Sequence, residues 1–296
     1  MMGRVTLCCL LVLAFCLMNW GCSFLVHWSS GDRSSSSPHE AHPVSDAGSP
    51  GSSFPQRGGT TDYPSPVIEI AFDLLRTELP MGSVRHSQKI WNHVDELRVD
   101  PGLSGRLARN GLRMGAASAD AWPAIRAILA ACDTKAQQDQ LFAQGGLPVV
   151  IELGSIDSSE SVFSYGPDNR LIGKTFPAGS KLMIVDYAIH TVLGGYTDFK
   201  ITFEVRHDRG VMTWERRGGI IRQVPAYDRH VYADLSAALP INQDEFLVVG
   251  PSNEADKEYL VGNRFFMKQQ GDVQSETLLF VTPVPYQTQQ VPQRTR

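Results

Sequence analysis

Phe199-Lys200-Ile201-Thr202-Phe203-Glu204-Val205-Arg206 alternates apolar and polar side chains without a break. A period of two places Phe199, Ile201, Phe203 and Val205 on one face of a strand and Lys200, Thr202, Glu204 and Arg206 on the other. The segment is expected to be a half-buried strand whose second face meets water or a partner. Further strand candidates lie at Val162–Tyr165, Leu171–Phe176, Lys181–His190, Val211–Arg216, Glu245–Gly250, Arg264–Lys268 and Thr277–Thr282. Turn-favouring residues separate several of them: Gly166-Pro167-Asp168-Asn169, Asp208-Arg209-Gly210 and Pro251-Ser252-Asn253. Residues 154–285 are therefore expected to form a mostly antiparallel β domain, a sandwich or a curled half-barrel.

Upstream the rhythm differs. Val67 to Leu75 (VIEIAFDLL) fits a strand better than a short helix. From Ser87 to Val99, Ile90, Trp91, Val94 and Leu97 recur at helical spacing against Asp95, Glu96 and Arg98, which predicts an amphipathic helix. Pro101 opens a second helix that stops at Asn110-Gly111, a left-handed C-terminal signal. Leu112–Ala116 follows as a short strand, and Asp120 caps a helix carrying Ile125, Ile128 and Leu129. Residues 67–153 thus form a small mixed α/β region, and the whole chain is assigned to the α+β class.

Residues 24–66 are rich in Ser, Gly, Pro, Asp and His, with SSSSP at 34–38 and GSPGSS at 48–53. So few apolar side chains cannot offset the entropy of ordering, which predicts a disordered tether. A flexible tail is likewise expected over 286–296. Before the tether, Arg4 precedes the apolar run Val5–Met18 (VTLCCLLVLAFCLM), the order of a signal peptide. Apolar character resumes at Phe24–Trp28, so residues 1–23 are either a cleaved signal or part of an uncleaved anchor. Gly21-Cys22 ends this leader in the manner of a lipoprotein signal, which makes Cys22 the candidate for lipidation.

These features predict an exported protein of the cell envelope, periplasmic or at the outer membrane, in contact with the membrane through its N-terminal segment. Four of the five cysteines lie in the leader, so Cys132 has no partner for an intramolecular disulfide and is expected to be a small buried apolar residue. A formal net charge of −4 and a pI near 6.1 supply none of the excess cationic charge that marks nucleic-acid binders.

Motifs for chemistry are weak. Gly173-Lys174-Thr175 resembles the end of a phosphate-binding loop, but Asp168 stands where the first glycine belongs and Pro177 follows where a helix must open. His39 and His42 are one residue too close for two ligands on one helical face. His86 and His93, with Asp95 and Glu96, are better explained as boundary and helix residues than as a metal set. His207-Asp208 and Asp228-Arg229-His230 are adjacent residues that point to opposite faces of a strand. Trp91, Trp122, Phe265 and Phe266 are expected in the core before a recognition surface. No catalytic, cofactor or metal site is assigned.

Three segments carry a resemblance: Ile90–Glu96 (IWNHVDE), Leu107–Gly115 (LARNGLRMG) and the ending from Leu247 to Pro283. In them the body resembles a group of uncharacterised exported proteins, many lipoprotein-like, of planctomycete-type bacteria, and this resemblance implies no activity. Phe246–Gly250, Leu260–Phe266 and Glu276–Pro283 are also similar to the closing part of outer-membrane secretin β-domains. The chain departs from a full secretin in lacking the repeated periplasmic modules, and Asp256-Lys257-Glu258 replaces the usual Gly/Pro-rich link.

Together these readings predict a non-catalytic envelope protein that binds or assembles with envelope proteins or with itself. Two alternatives stand beside it: a secretin-related accessory or pore subunit, and an exported hydrolase whose carboxylates, with Asp186, Glu204, Asp208 and Glu215 as candidates, meet only in three dimensions.

Overall fold

Residues 68–144, 147–190, 195–217 and 220–285 are described by the structure, a computed structural model. The leader with Cys22, the 24–66 tether and the 286–296 tail lie outside them. In chain order the strands are β1 (Ile68–Pro80), β2 (Leu112–Ser118), β3 (Lys135–Gln144), β4 (Val149–Tyr165), β5 (Leu171–His190) and β6 (Tyr196–Arg217). They continue with β7 (Ile220–Val231), β8 (Ala237–Asn242), β9 (Glu245–Pro251), β10 (Met267–Gln270) and β11 (Val273–Pro285). Three α-helices accompany them: α1 (Pro101–Arg109), α2 (Trp122–Ala130) and α3 (Val261–Phe266).

Two antiparallel sheets result, in the order β2-β9-β11-β1-β3 with β10 also beside β11, and β4-β5-β6-β7 with β8 also beside β6. Neither closes into a barrel, so the α+β class takes the form of a β-sandwich. Phe199, Ile201, Phe203 and Val205 of β6 are buried, as the alternation requires. They join Met183 and Val185 of β5 against Ile70, Phe72 and Leu74 of β1 and Leu279 and Val281 of β11 in one core between the sheets. Phe72 lies 5.6 Å from Phe199 and 5.3 Å from Tyr187, ring centre to ring centre, which stitches β1 to the opposite sheet. Burying one such phenylalanine contributes about 2–3 kcal/mol.

The first sheet is covered on its other face too. Ile125 and Leu129 of α2, with Val84, Ile90, Trp91 and Val94, pack on Phe246, Val248, Leu278 and Phe280. Its strands come from both sides of the 153/154 boundary, which itself falls inside β4, so the two sequence regions are not two sheets.

Several local expectations change. Residues 87–99 form two single turns of 3₁₀ helix, Trp91–His93 and Glu96–Arg98, instead of an amphipathic helix. Between them Asp95 is extended, and its backbone exchanges hydrogen bonds with Ala116 of β2 (2.7 and 3.2 Å). This tertiary bridge outweighs the helical spacing, and Leu97 is left 86% exposed. α1 ends as expected, with Asn110 at the C-cap and Gly111 at φ +81°. α2 forms, but Ala121 precedes it and Asp120 makes no cap. Residues 264–268 divide between α3 and β10, because helical geometry lets the neighbours Phe265 and Phe266 both enter the core.

Leu171–Phe176 and Lys181–His190 are one strand, with Pro177 where β5 pairs with β4 and has not yet met β6, a position that costs no ladder bond on that side. Asp208-Arg209-Gly210 is no hairpin turn: it is an irregularity inside β6, with Gly210 at φ +68°.

Candidate ligand groove

α2 covers only part of the first sheet's outer face. Along β1 the outward residues are Asp73, Leu75 and Thr77, paired across to Gln140, Gln138 and Ala136 of β3 and to Thr282, Phe280 and Leu278 of β11. On the helix Trp122, Arg126 and Leu129 follow at spacings of four and three, and so share the side facing these strands. Between helix and strands lies a groove of about 580 Å³ lined by Asp73, Leu75, Thr77, Trp122, Arg126, Gln138 and their neighbours. That volume falls within the range of small-molecule sites.

The groove is apolar at its base. Trp122 is half-buried and stands edge-to-face against Phe246 (5.4 Å) and Phe280 (5.3 Å), which fixes the indole. Polar groups rim it: Asp73 Oδ1 accepts from Gln140 Nε2 at 2.8 Å, and Thr134 and Thr282 supply hydroxyls. Arg126 is exposed and makes no ion pair among the described residues. At the floor Thr77 Oγ1 is buried and likewise has no hydrogen-bond partner among the described residues. Stacking surface, one free guanidinium, a carboxylate, hydroxyls and an amide can hold a polar ligand with an anionic group. Among the described residues the lining holds one carboxylate, Asp73, and no imidazole, thiol or amine.

The four candidate carboxylates lie elsewhere, on the second sheet. Glu204 is fully buried, and both its oxygens are taken: Arg206 Nε (2.8 Å) and Arg229 Nε (2.9 Å) donate to Oε1, and Arg229 Nη2 (2.5 Å) to Oε2. Burial pulls this carboxyl upward, but the hydrogen bonds from Arg229 and Arg206 outweigh it and hold the group below its ordinary value. Glu204, and more remotely Asp186, in turn keep Arg229 charged. Asp186 is exposed opposite Lys200, Asp208 accepts from the Gly210 amide at 2.8 Å, and Glu215 faces Arg222 at 3.7 Å.

The remaining motifs are structural. Gly173 is a glycine because a Cβ there would lie 2.3 Å from the Phe163 ring across the hairpin. Lys174 and His230 approach to 3.4 Å beside Phe176. Burial, and then the Lys174 charge, push the His230 imidazole below its ordinary pKa. His86 pairs with Asp256 at 3.1 Å, and among the described residues no cluster of His, Cys, Asp and Glu is arranged for a metal. Trp91, Phe265 and Phe266 are buried, Cys132 packs at the margin of the outer core, and Trp122 lines the groove. Asp73, Arg126 and Gln138 escaped sequence reasoning; the i, i+4, i+7 stripe Trp122-Arg126-Leu129 is the signal that carries the helix side of the groove. No known family matches the chain, and no curated protein or solved structure matches it.

Proposed function

We propose that the chain is a non-catalytic, exported cell-envelope protein that binds a ligand in the groove between α2 and the first sheet. The observation that supports binding over turnover is the lining itself: the fixed indole of Trp122 beside the unpaired Arg126, opposite Asp73 and Gln138. An indole offers a stacking surface to a sugar ring, carboxylate and amide accept and donate to hydroxyls, and a guanidinium takes a carboxylate in a bidentate grip. The ligand class we assign is an acidic saccharide, a chemistry that suits an envelope protein. The membrane leader and the assembly role belong to the same reading.

The test is titration of the purified protein with acidic and neutral oligosaccharides, followed by calorimetry and by product analysis. Saturable binding of acidic members, weakened about tenfold or more by Arg126→Glu as expected for loss of a charge-assisted pair, supports the reading. Release of products from glycans, esters or peptides overturns it. Trp122→Phe keeps the packing on Phe246 and Phe280 and is expected to weaken binding less than Arg126→Glu.

A further inference from the structure

Pairing between β5 and β6 ends at Ser180 with Arg206, yet β6 runs on to Arg217 and pairs from Met212 onward only with β7. Residues 209–217 and 220–225 therefore form a two-stranded ribbon that extends past the sandwich. Its register puts Met212 opposite Pro225, Trp214 opposite Gln223 and Arg216 opposite Ile221, so Met212, Trp214 and Ile221 share one face. Thr213, Glu215, Arg222 and Val224 occupy the other, where Glu215 meets Arg222. Trp214 is 69% exposed, Ile221 62% and Met212 53%. Single exposed apolar residues need no explanation, but three on one face of a ribbon that has no core of its own do.

Charge identifies what covers this face. Residues 209–225 contain Arg209, Arg216, Arg217 and Arg222 against Glu215, within a chain of net charge −4; Arg222 meets Glu215 on the far face and Arg209 meets Asp228 at 3.8 Å, so Arg216 is the cation on the Met212-Trp214-Ile221 face. Pairing this face with its own copy would bring like charges together, whereas lipid phosphates oppose them. Indole and guanidinium side chains are also those that settle at the headgroup boundary of a bilayer.

We infer that the ribbon is a membrane-docking element, its Met212-Trp214-Ile221 face lying in the interface of an anionic bilayer with Arg216 of that face among the headgroups. The opposite face keeps the Glu215–Arg222 pair in water, so the ribbon lies on the membrane and does not cross it. This goes beyond the groove and is independent of it; it rests only on the envelope location, to which the apolar leader also points.

The full chain, reconstituted in vesicles of phosphatidylcholine with or without phosphatidylglycerol, tests it with bromine-labelled acyl chains as the quencher. The signal of Trp214 is the difference between the wild type and Trp214→Phe, which removes the contribution of the other tryptophans, Trp20 and Trp28 before residue 68 included. Quenching of Trp214 is expected only in the anionic vesicles, with the docked fraction's equilibrium constant falling about fivefold in Arg216→Gln. Equal quenching in both lipids, or none in either, overturns the inference. A concentration-dependent rise in native mass that shields Trp214 without lipid assigns the face to a second copy and overturns it too, as does dye release through a pore. Saccharide binding by the same samples reads the groove separately, so failure of one proposal leaves the other standing or falling on its own result.

Discussion

Arg206, two residues along the strand, and Arg229, on the neighbouring strand, close over Glu204 from the same face of the second sheet. A carboxylate so held is an anchor; its proton affinity is too low and its lone pairs too occupied for acid–base work. Glu204→Gln keeps the shape but removes the charge that both arginines need, and is expected to cost about 1–3 kcal/mol in urea unfolding. The pH dependence has a definite sign. The folded-state pKa is lowered, so the unfolded chain binds the proton first, and the stabilisation is full above the ordinary glutamate value of 4.5 and lost as pH falls below it. The wild type should lose stability more steeply in that window than Glu204→Gln, and parallel acid titrations of the two would sink this account. His230, also lowered, acts in a separate window: below its ordinary value of 6.5 the unfolded chain takes a proton that the half-buried ring beside Lys174 resists. The alternation over 199–206 located Glu204 on the outward face correctly. Its burial was not legible, because Arg229 comes from β7, a strand with no periodic signature of its own.

The contacts between elements explain why the most distinctive sequence segments are not the site. Leu107–Gly115 and the Leu260–Asn263 corner meet where Gly262 N donates to Asn110 O at 2.8 Å. A Cβ on Gly262 would stand 2.0 Å from Gly111 O, and Gly111 itself sits at φ +81°. Asn110, fully buried, bonds Tyr165 through both ends of its amide and so fastens α1 to the end of β4. Gly262→Ala is accordingly expected to destabilise by about 1–3 kcal/mol or more through overpacking. Gly105→Ala, in the exposed middle of α1 with nothing within 4 Å of a new Cβ, is expected to stabilise by about 0.5–1 kcal/mol. Thermal melts of the two variants moving in the same direction would contradict the packing argument. Strands β2, β9 and β11 and helices α1 and α2 were visible in the sequence because their apolar faces meet a core. The edge strand β3 (KAQQDQLFAQ) was not, since only Leu141 and Ala143 at its end meet the core, it pairs with β1 alone, and its outward face, part of the groove floor, carries polar side chains.

At the scale of the molecule, β1 and β11 run antiparallel from Ile70 opposite Pro285 to Pro80 opposite Ser275, so the two ends of the sandwich are neighbours in the middle of a sheet. The first sheet cannot be completed until the last strand is present, and such long-range pairing makes folding slow and cooperative. It follows that the order of the chain matters less than the continuity of β1 and β11. A circular permutant that joins Pro285 to Ile68 through a short loop, and opens the turn between Pro167 and Asp168, keeps every pairing of that sheet. Opening one turn should cost about 1 kcal/mol, which for a chain of this size lowers Tm by roughly 2–4 °C. Deleting 273–285 instead strips Leu278, Leu279, Phe280 and Val281 from the two cores and leaves β1, β9 and β10 without their common partner. Calorimetry should record a single transition for the permutant and none for the deletion. A permutant that fails to melt cooperatively would mean that the order of synthesis, and not the β1–β11 pairing, decides whether the sandwich closes.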